Sequence, residues 1–215
     1  MKRLLAASLF ILPFAVQAQG YIEAQVGYTF VDDVDTNEYS SVETGTVQGT
    51  LDYDSDMGYG LEIGMRNFEA ANVLRMGLAW NRFGADLDKA SINISGGTEI
   101  GAISGSASSS ELKSVGLNFD NDVNVYTANF YYDIPLKSGF TPYLGLGFGV
   151  ADIDNAKSNE FAVIGIVGGR YAMSNGTYLG MKYQYIDVAD FEDELGIEYE
   201  GAGAHMVSAT LGMEF

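Results

Sequence analysis

The chain has 215 residues, with 11 Lys and Arg against 29 Asp and Glu and a formal net charge of −18. It contains no cysteine, which excludes disulfide staples and thiolate metal sites. The acid excess disfavours nucleic acid as a partner, because phosphates need basic side chains, and the length is that of one domain.

The chain opens Met1-Lys2-Arg3, runs apolar from Leu4 to Val16 with Pro13 inside the run, and reaches Val16-Gln17-Ala18-Gln19. A positive start, a short apolar core and small residues before a cut predict a signal peptide over residues 1–18, with cleavage after Ala18. The run is too short to span a bilayer as a helix. Without cysteine there is no site for an N-terminal lipid. No later segment has the apolar length of a membrane helix, so residues 19–215 can enter a membrane only as a closed barrel.

From Gly20 onward, Ile22, Ala24, Val26, Tyr28 and Phe30 alternate with Tyr21, Glu23, Gln25, Gly27 and Thr29. Successive side chains on a strand point to opposite faces, so this predicts a strand with one apolar wall and one small or polar wall. Residues 31–55 lose the alternation and become acidic and Ser/Thr-rich, a long polar excursion. A second strand follows at Met57–Arg66, with room to begin earlier than Asp56, and a third at Leu74–Asn81 after a short connection. The stretch 84–122 is longer, rich in Gly and Ser, and compatible in composition with either an extended hairpin or disorder.

A fourth strand spans Val125–Tyr132, and 133–139 reads as a turn around Pro135. The fifth, Pro142–Ala151, alternates Leu144, Leu146, Phe148 and Val150 with Gly145, Gly147 and Gly149. The sixth is taken with Phe161, Val163, Val167 and Tyr171 outward, although Ile164 and Ile166 fall on the other wall. Ser174-Asn175-Gly176 predicts a tight hairpin turn. The seventh strand turns Leu179, Met181, Tyr183 and Tyr185 outward. The last carries Val207, Ala209, Leu211, Met213 and Phe215 on one face and Ser208, Thr210, Gly212 and Glu214 on the other.

Charge is divided by region. Segments 31–55, 84–122, 152–160 and 187–200 hold 23 acids against only Lys89, Lys113 and Lys157, a net of −20, and the rest of the chain after the leader balances. Eight strands joined alternately by long acidic loops and short turns predict an all-β fold, an eight-stranded antiparallel transmembrane up-and-down β-barrel with both ends on the periplasmic side. Aromatics near strand ends, among them Tyr28, Phe30, Trp80, Tyr132, Tyr171 and Tyr183, suit interfacial girdles. A soluble barrel would need the reverse facing, and charges sit here on the narrow, glycine-bearing wall.

The terminal strand ending in Phe215, the segment Asn129-Phe130-Tyr131-Tyr132-Asp133-Ile134-Pro135 followed by Thr141-Pro142-Tyr143-Leu144-Gly145-Leu146-Gly147, and the Arg170-Tyr171 and Lys182-Tyr183-Gln184-Tyr185 endings resemble the opacity-type outer-membrane β-barrel family of surface antigens. The resemblance implies an eight-stranded barrel in a Gram-negative outer membrane, with variable loops at the cell surface. It also implies that Phe215 is an assembly signal, read by the outer-membrane insertion machinery through the C-terminal strand.

The inward charges Glu23, Glu62, Arg66, Arg75, Arg170, Lys182 and Glu214 form the nearest thing to a constellation. They read as a structural network, because an eight-stranded barrel is only wide enough for its side chains to fill it; the competing reading is a narrow porin-like ion path. His205 is the single histidine, and Ser208, three residues on, points to the opposite face, which spoils a His–Ser pair. Asp33-Val34-Asp35 and Asp52-Tyr53-Asp54 start like calcium loops but lack the required Gly and bidentate Glu. No catalytic, cofactor or metal residue is therefore assigned. The expected partners are outer-membrane lipid and, at the loops, a host or envelope surface ligand, with the barrel itself a monomer. The expected role is a surface scaffold rather than an enzyme.

Overall fold

The computed structural model describes residues 19–36, 38–41, 45–68, 71–96, 102–116, 120–136, 138–154, 156–192 and 198–215. The leader expected over 1–18 lies outside them. Eight long strands follow one another: β1 (Gln19–Val31), β2 (Asp56–Phe68), β3 (Ala71–Ala85), β4 (Asn121–Asp133), β5 (Phe140–Ile153), β6 (Glu160–Ala172), β7 (Thr177–Val188) and β8 (Ala202–Glu214). Each pairs antiparallel with the next, and β8 closes on β1, giving a closed up-and-down barrel. Closure leaves no strand edge within the ring, which is what a lipid environment demands of a sheet.

The register is staggered. Following paired residues once round the ring from Tyr21, through Gly64, Gly77, Asn129, Gly147, Ile164, Ile186 and Ala204, returns to Val31. That is a shift of ten residues, from 21 to 31, the kind of stagger by which tilted strands close.

The walls are inside out relative to a soluble protein. Leu211 is 55% exposed while Arg75 is 1% exposed, and the same contrast repeats along every strand. Exposed aliphatic and aromatic side chains thus form a continuous outer belt, the lipid-facing surface of a membrane barrel. Chain ends and short connections share one rim: Gly20 and Phe215 exchange two backbone hydrogen bonds of 2.9 Å. At the β6–β7 connection Asn175 and Gly176 take φ of 69° and 74°, the left-handed conformation that an Asn-Gly turn accepts at low cost.

The loops at the other rim hold more structure than the sequence predicts. Residues 31–55, read as a patternless excursion, contain the strand Gly45–Tyr53, and 84–122 contains the hairpin Leu87–Gly96 with Ile103–Ser108, then the short helix α1 (Ser109–Ser114). Gly45–Tyr53 pairs with Leu87–Gly96, from Tyr53 opposite Leu87 to Gly45 opposite Gly96. The β2–β3 ladder ends below at Gly58 opposite Phe83, and Asp54 N–H donates to Asp86 C=O at 2.9 Å between the two ladders. The β2–β3 hairpin therefore continues out of the barrel as an arm, about 30 Å long at the rise of a strand. Val34–Asp35 and Tyr39–Ser41 line one edge of the arm and Ile103–Ser108 the other.

Candidate functional site

Among the described residues, buried charge is concentrated in the barrel interior. Glu23, Glu62, Arg75, Arg170 and Lys182 are buried, and Arg66 and Glu214 sit half-buried at the rim of the chain ends. All seven point inward because each falls on the small-residue parity of its strand.

Their order in space follows from the register. Lys182 Nζ lies 2.5 Å from Glu23 Oε1 and 3.6 Å from Glu62 Oε2. Arg75 lies 3.8 Å from Glu62 and 3.5 Å from Asp133. Arg170 donates to Asp133 Oδ2 at 2.6 Å and lies 3.3 Å from Glu214, which also pairs with Arg66. The result is one unbroken chain of alternating sign, Glu23, Lys182, Glu62, Arg75, Asp133, Arg170, Glu214, Arg66, with four acids and four bases. Such pairing is what makes buried charge tolerable.

Asp133 is the link that sequence reasoning missed. Beside Pro135 it reads as part of the turn, yet it is the last inward residue of β4, on the same parity as Asn129 and Tyr131, and it is buried. Without it the inward set holds three acids and four bases. With it the set is neutral.

Four inward tyrosines complete the plug. Tyr21, Tyr131, Tyr143 and Tyr178 are each register-paired with a glycine on the neighbouring strand, respectively Gly64, Gly145, Gly168 and Gly212. A Cβ at any of these glycines would come within 2.6 Å of the tyrosine ring, so the glycine is the space in which the ring lies. Three of the rings surround one cation: the Arg75 guanidinium stands 3.9 Å from the Tyr131 ring centre, 4.8 Å from Tyr143 and 5.2 Å from Tyr21, while Tyr178 lies 5.2 Å from the Arg170 guanidinium. Glu62 accepts from the Tyr21 hydroxyl, from Tyr131 at 2.5 Å and from Asn129 Nδ2 at 3.1 Å.

Above this ionic layer the chemistry changes twice. Gln25 Nε2 donates to Asn81 Oδ1 at 2.5 Å and to Gln184 Oε1 at 2.8 Å, an amide layer across the lumen. Beyond it the inward residues become apolar, with Phe83, Val123, Val125, Ile153, Ile164 and Ile186 packed together. The mouth is roofed by Val34, Tyr53 and Phe191 from the loops, leaving a cavity of about 40 Å³. A second small core of Val34, Leu51, Leu87 and Tyr199, with Leu112 of α1 against it, ties the roof to the base of the arm.

His205 lies outside the lumen. Its Nδ1 is 2.7 Å from the Tyr183 hydroxyl and its Nε2 is 3.3 Å from Asp32 Oδ1. Ser208 points inward and donates to the Lys182 carbonyl at 3.3 Å. The His–Ser pair is thus separated by the barrel wall, and the carboxylate beside the histidine is Asp32. Asp35, in the first calcium-like segment, accepts from the Thr50 hydroxyl at 2.6 Å. Among the described residues no three His, Asp or Glu side chains converge in a way that would hold a metal ion.

In sequence the chain matches no protein-family profile and no curated protein. In structure it is similar to Neisserial surface protein A, with a TM-score of 0.56 and 16% identity over 91% of this chain and 97% of that one. It is also similar to the outer membrane protein OprG from Pseudomonas aeruginosa, with a TM-score of 0.52 and 15% identity over 92% and 97% of the two chains. The outer membrane protein AlkL, solved in DMPC lipid bilayers, gives a TM-score of 0.51 and 15% identity over 100% and 97%. The shared fold is the eight-stranded outer-membrane barrel, and an outer membrane is the location that the leader and the lipid-facing belt lead one to expect.

Proposed function

We propose that this protein is a closed outer-membrane scaffold, without enzymatic activity, whose work is done by the arm and the acidic loops at the cell surface. The observation that carries the reading is the filling of the lumen at three successive levels: the charge chain with its tyrosines, the amide layer, and the apolar compartment under its roof. An ion crossing it would have to displace paired charges and then traverse an apolar segment, where desolvation opposes passage. The loops, by contrast, hold the acid excess and are mounted on a rigid frame, the usual location of binding residues. Phe215 is the proposed contact for the insertion machinery. The residue is 68% exposed, with its ring lying over Gly20, so most of its surface is open to recognition during assembly.

Single-channel recording on refolded protein tests the reading. The expected result is silence. Stable conductance that survives trimming of 31–55 and 84–122 but changes with Arg170→Ala or Lys182→Ala would replace the scaffold with a pore.

A further inference from the structure

The arm has two chemically different faces, and the fold gives each a direction. Leu51 packs with Val34, Leu87 and Tyr199 where the arm meets the roof, so the apolar face that carries Leu51, Val47 and Ile94 continues the lumen wall and turns toward the barrel mouth. The other face is turned away from the mouth. Register partners share a face, and on this one Thr46 stands opposite Ser95, Gln48 opposite Asn93 and Thr50 opposite Ser91. Ser104 and Ser106 continue the last two of these rows onto the neighbouring strand.

Two of the rows bound a concavity. Thr46 and Ser95 form one bank and Gln48, Asn93 and Ser104 the other, with Glu38 at the same site. Its volume is about 350 Å³, which falls among small-ligand pockets of roughly 300–1,000 Å³. Among the described residues, no hydrogen bond occupies the amides of Gln48 and Asn93 or the hydroxyls of Ser95 and Ser104. Amides and hydroxyls both donate and accept, which is what the hydroxyl groups of a sugar require of a partner. Charge is nearly absent: residues 45–51, 90–96 and 103–108 include no Asp, Glu, Lys or Arg, although the loops together carry a net −20. Glu38 supplies one carboxylate, an acceptor for a pair of adjacent hydroxyls.

We propose that this polar concavity binds neutral sugar residues of the lipopolysaccharide surrounding the barrel. Position selects that source. In an outer membrane the arm stands outside the bilayer, and a face turned away from the mouth meets the carbohydrate of the neighbouring lipid molecules. Electrostatics agrees, because the acidic loops oppose the phosphates of such lipids and a nearly charge-free face is where their sugars approach without that opposition. Such binding rests on the reading of the arm as the working part of a scaffold. It is measured independently of conductance, so a silent bilayer without sugar binding refutes only the present proposal.

The test uses detergent-refolded protein, isotope-labelled in its Asn and Gln side-chain amides. The probe is the oligosaccharide freed by mild acid from lipopolysaccharide of the outer membrane in which the protein resides. Titration is expected to move the side-chain amide signals of Gln48 and Asn93, identified by their loss in Gln48→Ala and Asn93→Ala. The double variant should weaken binding by about tenfold or more, the effect of removing two neutral hydrogen-bonding side chains. Ile92→Ser, on the opposite face, should leave binding unchanged, with heat-modifiable gel mobility confirming a folded barrel in each case. Unmoved signals, equal binding by the double variant, or equal weakening by Ile92→Ser overturns the proposal. Lactose binding as tightly as the oligosaccharide would make the face a receptor for sugars from outside the membrane and likewise overturn it.

Discussion

The two ends of the barrel interior are filled by opposite chemistry on the same scaffold. Toward the chain ends, Glu23, Lys182, Glu62, Arg75, Asp133 and Arg170 neutralise one another among tyrosine rings; toward the loops, Phe83, Val125, Ile164 and Ile186 pack as they would in a soluble core. The outer wall is equally apolar at both ends, so lipid does not explain the difference. What differs is the failure mode. A charged filling is stable only as a complete set, because each member's partner is also buried, whereas an apolar filling loses stability in proportion to the volume removed.

The most severe break in this contrast is at the centre of the charge chain. Arg75→Leu leaves the buried chain one positive charge short, with Glu62 held only by Lys182 and Asp133 only by Arg170, and is expected to destabilise the barrel by about 3–5 kcal/mol, the range for breaking a buried ion pair from one side. Urea unfolding of detergent-refolded protein, read by tryptophan fluorescence, measures it, and a loss below about 1 kcal/mol would mean that water reaches the layer freely. In the apolar compartment Ile186→Ala should cost about 2–4 kcal/mol from cavity formation alone.

Coupling sharpens the comparison further. Lys182→Met and Glu23→Gln should each destabilise, and the double variant should recover much of the loss, since the pair is removed together. Ile186→Ala combined with Lys182→Met should be additive within about 0.5 kcal/mol if the two compartments are independent. A strong coupling between them would refute the division.

Removing Phe215 should separate assembly from stability. The amount of folded barrel in cells should fall, while the unfolding midpoint of protein refolded in vitro should shift little, because the residue is largely exposed and its ring meets only Gly20 closely. Equal loss in both assays would make Phe215 a packing residue.

The smallest effect is expected at the junction of barrel and arm. Asp86 has its carboxyl held above the usual aspartate range, by partial burial and then by the neighbouring Asp120 and Asp56 carboxylates. The folded state therefore holds this proton more tightly than the unfolded chain. Its contribution to stability is fully present below the ordinary value of about 3.9 and declines as pH rises through the shifted one. Asp86→Asn should slightly strengthen the arm at neutral pH and flatten its pH dependence just above pH 4. Limited proteolysis of the arm against pH reads this, and an unchanged profile would show that the repulsion is screened.

Much of the barrel is legible in the chain because two-residue alternation is a local property. It identifies a strand, its two walls and, from the glycines and charges, which wall is narrow and inward; Glu23, Glu62, Arg75, Arg170 and Lys182 are buried on that wall. Asp133 escaped because a residue beside Pro135 satisfies turn chemistry and strand parity at once, and local rules favour the turn. The tyrosines could be read as inward, but that each rests on a glycine depends on which residues of two strands stand opposite one another.

Register was likewise beyond local pattern. It alone decides that the charges alternate in sign along one chain rather than forming isolated pairs, and that Asp32 meets His205. The arm is the extreme case: Gly45–Tyr53 carries glycines and threonines on a weak alternation, and becomes a strand because Leu87–Gly96 lies beside it, continuing a ladder begun inside the barrel. Sequence alone determined the strands, their faces and the uneven distribution of charge, because these follow from neighbours along the chain. Tertiary structure decided the charge order, the closed roof and the apolar face of the arm, because these arise between residues that only the closing of the sheet brings together.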